Sequence, residues 1–139
     1  MVAPTNIRFP GSVDHGLVAY ARQHRAAKST VVVTAVDEWL RMQAHPRISF
    51  VAVGSERRAA LVDGPQVWTV AEAWLAHPAG SRDAATVADA VGLSIADVEA
   101  ALLYWAEYRD EIDSTVEREH EAQDRALAVW RDRRRLESA

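Results

Sequence analysis

Near the N-terminus, Thr5-Asn6-Ile7-Arg8-Phe9 alternates without interruption, with Thr5, Ile7 and Phe9 on one side and Asn6 and Arg8 on the other. A period of two predicts a half-buried strand, and Pro10 ends it. Two short helical patterns follow at once. A lone strand leaves its backbone N–H and C=O groups unpaired and is not stable by itself, so the pattern calls for a strand from a second copy of the chain. The outward side then carries an amide and a guanidinium, the groups suited to adenine and guanine edges in a major groove.

With 139 residues, the chain has room for one domain or two small ones. Apolar residues make up 49%, but many are alanine, which favours helices over a sheet-rich core. The lack of cysteine excludes disulfides and Cys-ligated zinc, and a reducing compartment fits. No apolar run approaches the roughly 18 residues that span a bilayer. The N-terminus also lacks the basic-then-apolar pattern of a secretory signal. A cytoplasmic protein with no membrane partner is expected. The formal charge of -4 hides an asymmetry: residues 1–50 carry six Lys/Arg against three acids, a net of +3, and the remainder carries ten against seventeen, a net of -7. Only the first part has the electrostatic footprint of a nucleic-acid binder.

After Pro10, Gly11-Ser12 offers an N-cap, and Val13, Leu17, Tyr20 and Ala21 recur at helical spacing to about His24. Arg25–Lys28 is the connector. Ser29 or Thr30 is expected to cap a second helix carrying Val32, Val33, Val36, Trp39, Leu40 and Met42; the triple valine would also suit a strand, but the helical spacing continues beyond it. Ile48–Val53 and Ala59–Val62 predict a β-hairpin joined through 54–58 and ended by Asp63-Gly64-Pro65. Val67 to about Ala76 predicts a helix, and Thr86–Val91 a short one stopped by Gly92. Ser94 caps the next in a capping box with Asp97. Asp113-Ser114 with Glu117 is a further candidate cap, opening a last helix. From Ser114 onwards six acidic residues meet six basic ones, which fits either a solvated helical end or an interaction segment.

The strand–helix–helix unit over 4–43 resembles the ribbon-helix-helix family of bacterial repressors and antitoxins. The residues that carry the likeness are Asn6-Ile7-Arg8-Phe9-Pro10, the short helix after them and the second helix ending at Trp39-Leu40. The resemblance implies a homodimer whose paired strands enter the major groove of operator DNA. Asn6 and Arg8 would read bases, while backbone N–H groups at Ser29 and Thr30, with Lys28 beside them, would hold a phosphate. Ile7, Phe9, Val36, Trp39 and Leu40 would form the dimer core, making dimerisation part of folding. The outward position before Asn6 is Pro4, which has no side-chain donor, so base readout rests on fewer contacts.

Residues 84–104 match a helix-turn-helix pattern through Val87-Ala88, Gly92, Leu93-Ser94, Val98 and Ala101-Leu102. The outward residues of its second helix include Asp97 and Glu99, and no Lys or Arg lies between Arg82 and Arg109. Carboxylates there would repel phosphates, so a scaffold for protein contacts is the better reading. Roughly 45–120 looks like a small winged-helix-like domain of bacterial antitoxins, on His45-Pro46-Arg47-Ile48, Val67-Trp68, Gly92-Leu93-Ser94, Tyr104-Trp105 and Asp110–Asp113. This likeness implies a toxin partner, commonly a PIN-like ribonuclease.

No catalytic constellation is found. The five histidines lack metal-site spacing, and no nucleophile elbow or phosphate loop occurs, so neither catalytic nor metal residues nor cofactors are expected. Trp39, Trp68, Trp74 and Trp105 sit on apolar stripes and are expected in the core. Trp130 lies instead among Arg131, Arg133, Arg134 and Arg135, residue types enriched at binding hot spots, and either contacts a toxin or packs on a dimer mate. The expected fold is mainly α with short β. Its parts are a ribbon-helix-helix DNA-binding and dimerisation module over 1–44, a hairpin plus helix-turn-helix-like domain over 45–113 and a charged C-terminal helix over 114–139. The function expected is that of an antitoxin of a type II toxin-antitoxin system, repressing its own operon. The alternative is a plain ribbon-helix-helix transcriptional regulator with a C-terminal oligomerisation or sensing domain.

Overall fold

The computed structural model describes residues 2–139. Among these, helices and one antiparallel pair of strands follow in the order α1 (Gly11–Gln23), α2 (Lys28–Ala44), β1 (Ile48–Val53), β2 (Glu56–Leu61), α3 (Val67–Ala76), α4 (Ala84–Val91), α5 (Ile95–Glu107) and α6 (Arg109–Ser138). A single 3-10 turn, Ala79–Ser81, lies between α3 and α4. The fold is thus mainly helical with a short two-stranded sheet. Two compact units divide the chain, one up to Gln43 and the other Ala44–Ala139.

In the first unit the strand expected over Thr5–Phe9 is not formed: residues 2–10 carry no regular secondary structure in the single chain. The physical reason is the one that made a partner necessary, since a solitary strand has no neighbour to take its backbone groups. Helix α1 starts behind Pro10, whose carbonyl accepts the Asp14 N–H at 2.9 Å. It ends in a Schellman arrangement, with the Ala26 N–H on the Ala21 carbonyl (2.9 Å) and the Arg25 N–H on the Arg22 carbonyl (3.3 Å). Arg25 takes the left-handed position, φ +51°, that glycine usually fills.

Helix α2 begins one residue earlier than the expected cap. Val31 N–H bonds to the Ala27 carbonyl at 3.1 Å, so Ser29 and Thr30 lie inside the first turn and do not cap it. Among the described residues of this unit only Ala21 and Glu38 are buried. Trp39, expected in a core, is 56% exposed, and Leu40 and Ile7 are 55% and 59% exposed.

The second unit has a core of its own. β1 and β2 pair from Ile48↔Leu61 to Val53↔Glu56 around a two-residue turn, Gly54-Ser55. Gly54 has φ +63°, as the first central position of a primed hairpin turn requires. Because that tight turn closes the hairpin, β2 starts at Glu56 and not at Ala59, and it takes Arg57 and Arg58 into the strand. Ala59, Ala60 and Leu61 are buried, and Ala59 and Leu61 join Ile48 in the hydrophobic core with the helices.

Val67, Val70 and Ala71 bury the inner face of α3. Asp83 caps α4, accepting the Thr86 N–H at 2.8 Å, and so the helix opens two residues before Thr86. Gly92 ends it in the left-handed conformation at φ +71°, and Ser94 caps α5 by accepting the Asp97 N–H at 3.1 Å. Tyr104 is fully buried at the centre, with its ring against Tyr108 and its hydroxyl donating to Glu111 at 2.9 Å. Trp105 is buried, while Trp68 and Trp74 pack half-buried around the core.

α6 runs unbroken through Asp113-Ser114, where a cap was expected. The Asp113 carboxylate is used otherwise, accepting from Trp105 Nε1 (2.8 Å) and Arg109 Nε (3.0 Å). Ile112, Thr115 and Val116 are buried on one face, and this packing holds the helix across the junction. From Glu121 to the C-terminus every residue is exposed.

Candidate functional site

Two surfaces contain the residues singled out from the sequence. The first belongs to the N-terminal unit. Lys28, Ser29 and Thr30 form the first turn of α2, all exposed. With Ala27 at the cap, the N–H groups of these three residues have no carbonyl in their own helix, and the dipole adds positive potential there. Together they suit a phosphate oxygen. Lys28 Nζ, however, is engaged by the Asp14 carboxylate of α1, a pairing the sequence did not reveal. Both side chains are about half-exposed, so a phosphate competes with Asp14 at small cost. Asn6 and Arg8 are exposed in the segment before α1 and make no side-chain hydrogen bond among the described residues.

The apolar residues expected to join two copies are uncovered in this unit. Val33 is 68% exposed, Val36 49%, Trp39 56% and Leu40 55%, an assembly of large side chains on one helix. Monomeric surfaces rarely present such clusters without a partner.

The second surface is the distal half of α6. Trp130 (55% exposed), Arg131, Arg133, Arg134 and Arg135 all face solvent. Arg134 lies over the Trp130 ring, 5.5 Å from its centroid, while Arg133 pairs with Glu137 at 2.8 Å and Arg135 with Asp132 at 3.2 Å. These pairs are within one helix and exposed, so each is worth only a few tenths of a kcal/mol (about 0.3–0.5) and yields to a stronger acidic partner. The helix-turn-helix stretch gives α5 an outward face with Glu99, while Asp97 pairs with Arg47 at 3.0 Å.

Sequence reasoning missed the ion network that locks the hairpin to α6. Arg118 donates to both Glu56 oxygens at 2.7 and 3.3 Å; Arg58 donates to Glu56 at 3.1 Å and to Glu119 at 2.8 Å. Glu56, Arg58 and Arg118 line a cleft of about 220 Å³ together with Trp68 and Thr115. No local spacing could signal this, because Glu56 and Arg118 are far apart in sequence and Arg57-Arg58 read as part of the hairpin connector. A second missed contact joins His45, almost fully buried, to Glu107 at 2.5 Å, with the imidazole edge-on to Tyr104.

Hydrogen bonding from Arg118, against a smaller opposing effect of burial and with help from Arg58, holds the Glu56 carboxyl below the usual glutamate range. A lowered folded value means that this stabilisation is complete above the unfolded-state pKa and disappears as pH falls through the folded one. Acid titration of unfolding should therefore show wild type losing stability below about pH 4.3, with Glu56→Gln less stable near neutrality and flatter through that window. Equal acid slopes for the two proteins would remove the network from the account.

Among the described residues no group of three or more His, Asp or Glu side chains is arranged to hold a metal ion. No helix among the described residues is long and apolar enough to cross a membrane. No protein-family model, curated protein or solved structure matches the chain.

Proposed function

We propose that this chain is a dimeric DNA-binding repressor of the antitoxin type. Its N-terminal unit would read operator DNA, and its C-terminal unit would bind and neutralise a ribonuclease-type toxin. The observation that carries the reading is the open apolar face of Val33, Val36, Trp39 and Leu40, within the first fifty residues, whose net charge is +3. A second copy covers that face, and the paired N-terminal segments then place Asn6 and Arg8 toward base edges. The free N–H groups at Lys28, Ser29 and Thr30 grip the backbone phosphate.

Trp130 and its neighbouring arginines suit an acidic cleft on a toxin. If the toxin is a PIN-like ribonuclease, an arginine from this set would compete with the metal ions or RNA phosphates at its carboxylate cluster. Removal of residues 121–139 is the informative truncation, since it spares the buried Ile112, Thr115 and Val116 and the Arg118 clamp. Toxin activity should return while operator binding persists.

The experiment that tests the whole is co-purification with the product of the neighbouring gene, followed by a gel shift on the upstream DNA. Arg8→Ala is expected to weaken specific binding by about 1–3 kcal/mol, roughly 5- to 150-fold. Lys28→Ala should weaken binding to all sequences and lower the salt slope by about one unit. Unchanged operator affinity for Arg8→Ala would exclude the N-terminal segment as the reader. The alternative, a plain transcriptional regulator with an oligomerising C-terminal unit, draws support from the fully exposed distal half of α6.

A further inference from the structure

Charge is divided along α6. Residues 109–124 hold seven acids against two arginines, and residues 125–138 hold five arginines against two acids. The division is sharpest on one side of the helix. Asp113, Glu117, Glu121, Asp124, Ala128, Arg131 and Arg135 recur at intervals of three and four, which places them on a single face. Its first part is acidic, its middle small, and its last part basic. Glu117, Glu121, Asp124 and Arg131 have no ion-pair partner among the described residues, and Arg135 has only the exposed Asp132.

We propose that this face pairs with the same face of a second copy, the two α6 helices running antiparallel. Reversal of direction sets each acidic half against a basic half: Glu117 opposite Arg135, Glu121 opposite Arg131 and Asp124 opposite Ala128, twice over by the two-fold symmetry. A parallel arrangement puts acid on acid and arginine on arginine, which repels, and aligns the helix dipoles unfavourably. The acidic half borders a groove of about 440 Å³ between α3 and α6, whose apolar lining is Leu75, Trp105 and Val116. Trp130 and Arg134 fall on another side of α6 and stay open to a toxin. The pairing does not depend on the DNA-binding reading, which concerns the other unit.

Spin-label distances in the 139-residue chain test it, since the sequence contains no native cysteine. In the proposed register, labels at Gln123→Cys stand about 9 Å apart along the axis and those at Leu136→Cys about 30 Å, with helix axes about 8–10 Å apart. The first variant should give a short, narrow distance and the second a long one. Adding Glu117→Arg with Glu121→Arg should abolish the short distance, and adding Arg131→Glu with Arg135→Glu to that protein should bring it back. Short distances at both sites, at neither, or a short distance that survives the charge reversal would overturn the proposal. Dimerisation through the N-terminal unit alone gives no such restoration.

Discussion

Tyr104→Ala is expected to lower the unfolding free energy of the Ala44–Ala139 unit by about 3–5 kcal/mol, the range for deleting a large buried aromatic ring. The ring is fully buried and packs against His45, Phe50 and Tyr108 at centroid distances of 5.2, 6.3 and 4.6 Å. It sits where α5 meets both the hairpin and α6, so the cavity would open beneath several elements at once. Small domains have only about 5–15 kcal/mol of stability, and this loss is a large part of it. Tyr104→Phe keeps the ring and removes the hydroxyl that donates to Glu111 at 2.9 Å, which should cost about 1.5 kcal/mol. Urea denaturation of both variants, followed by aromatic circular dichroism, measures the difference. A cost below about 1 kcal/mol for the alanine variant would mean that the core does not depend on this ring.

In a chain shortened by residues 121–139, which lacks the proposed α6 pairing, Val36→Asp with Leu40→Asp should prevent formation of the dimer proposed for the N-terminal unit. Both positions are about half-exposed in the single chain, at 49% and 55%, so the substitutions ought to change the stability of an isolated chain by no more than about 0.5 kcal/mol. Between two copies they would bury carboxylates without partners, at several kcal/mol for each chain (about 3–5). With every 1.4 kcal/mol a factor of ten, dissociation should shift by at least about a thousandfold, and operator binding should go with it. Sedimentation equilibrium reads the mass, and the melting of the C-terminal unit serves as an internal control for folding. A dimer that survives both substitutions would show that α2 is not its seam.

How much of this was legible in the sequence differs between elements. The Val67–Ala76 helix, the Gly92 stop and the Ser94 cap were readable because each rests on local chemistry: an apolar stripe, a left-handed residue, a hydroxyl facing the N–H three residues on. The start of β2 was not, since Arg57 and Arg58 read as loop until the Glu56–Arg118 and Arg58–Glu119 pairs are in view. Asp113-Ser114 carries the letters of a cap, but Trp105 and Arg109 claim the carboxylate and Val116 holds the helix from below. Likewise Ser29 and Thr30 have capping side chains, yet the turn at Arg25 sets the helix running one residue before them. Local rules gave way where another contact, near or far in sequence, had first use of the same atoms or set the helix running earlier. Of the candidate site, the grouping of Lys28 with Ser29 and Thr30 was legible, whereas the hold of Asp14 on Lys28 was not.

The N-terminal helices bury little beyond Ala21 and Glu38, while the C-terminal unit encloses Tyr104 and its neighbours completely. Their lifetimes under proteolysis should diverge accordingly. On dilution, cleavage ought to begin within the first forty or so residues and leave a resistant C-terminal fragment, so that abundance itself regulates how long the N-terminal unit endures.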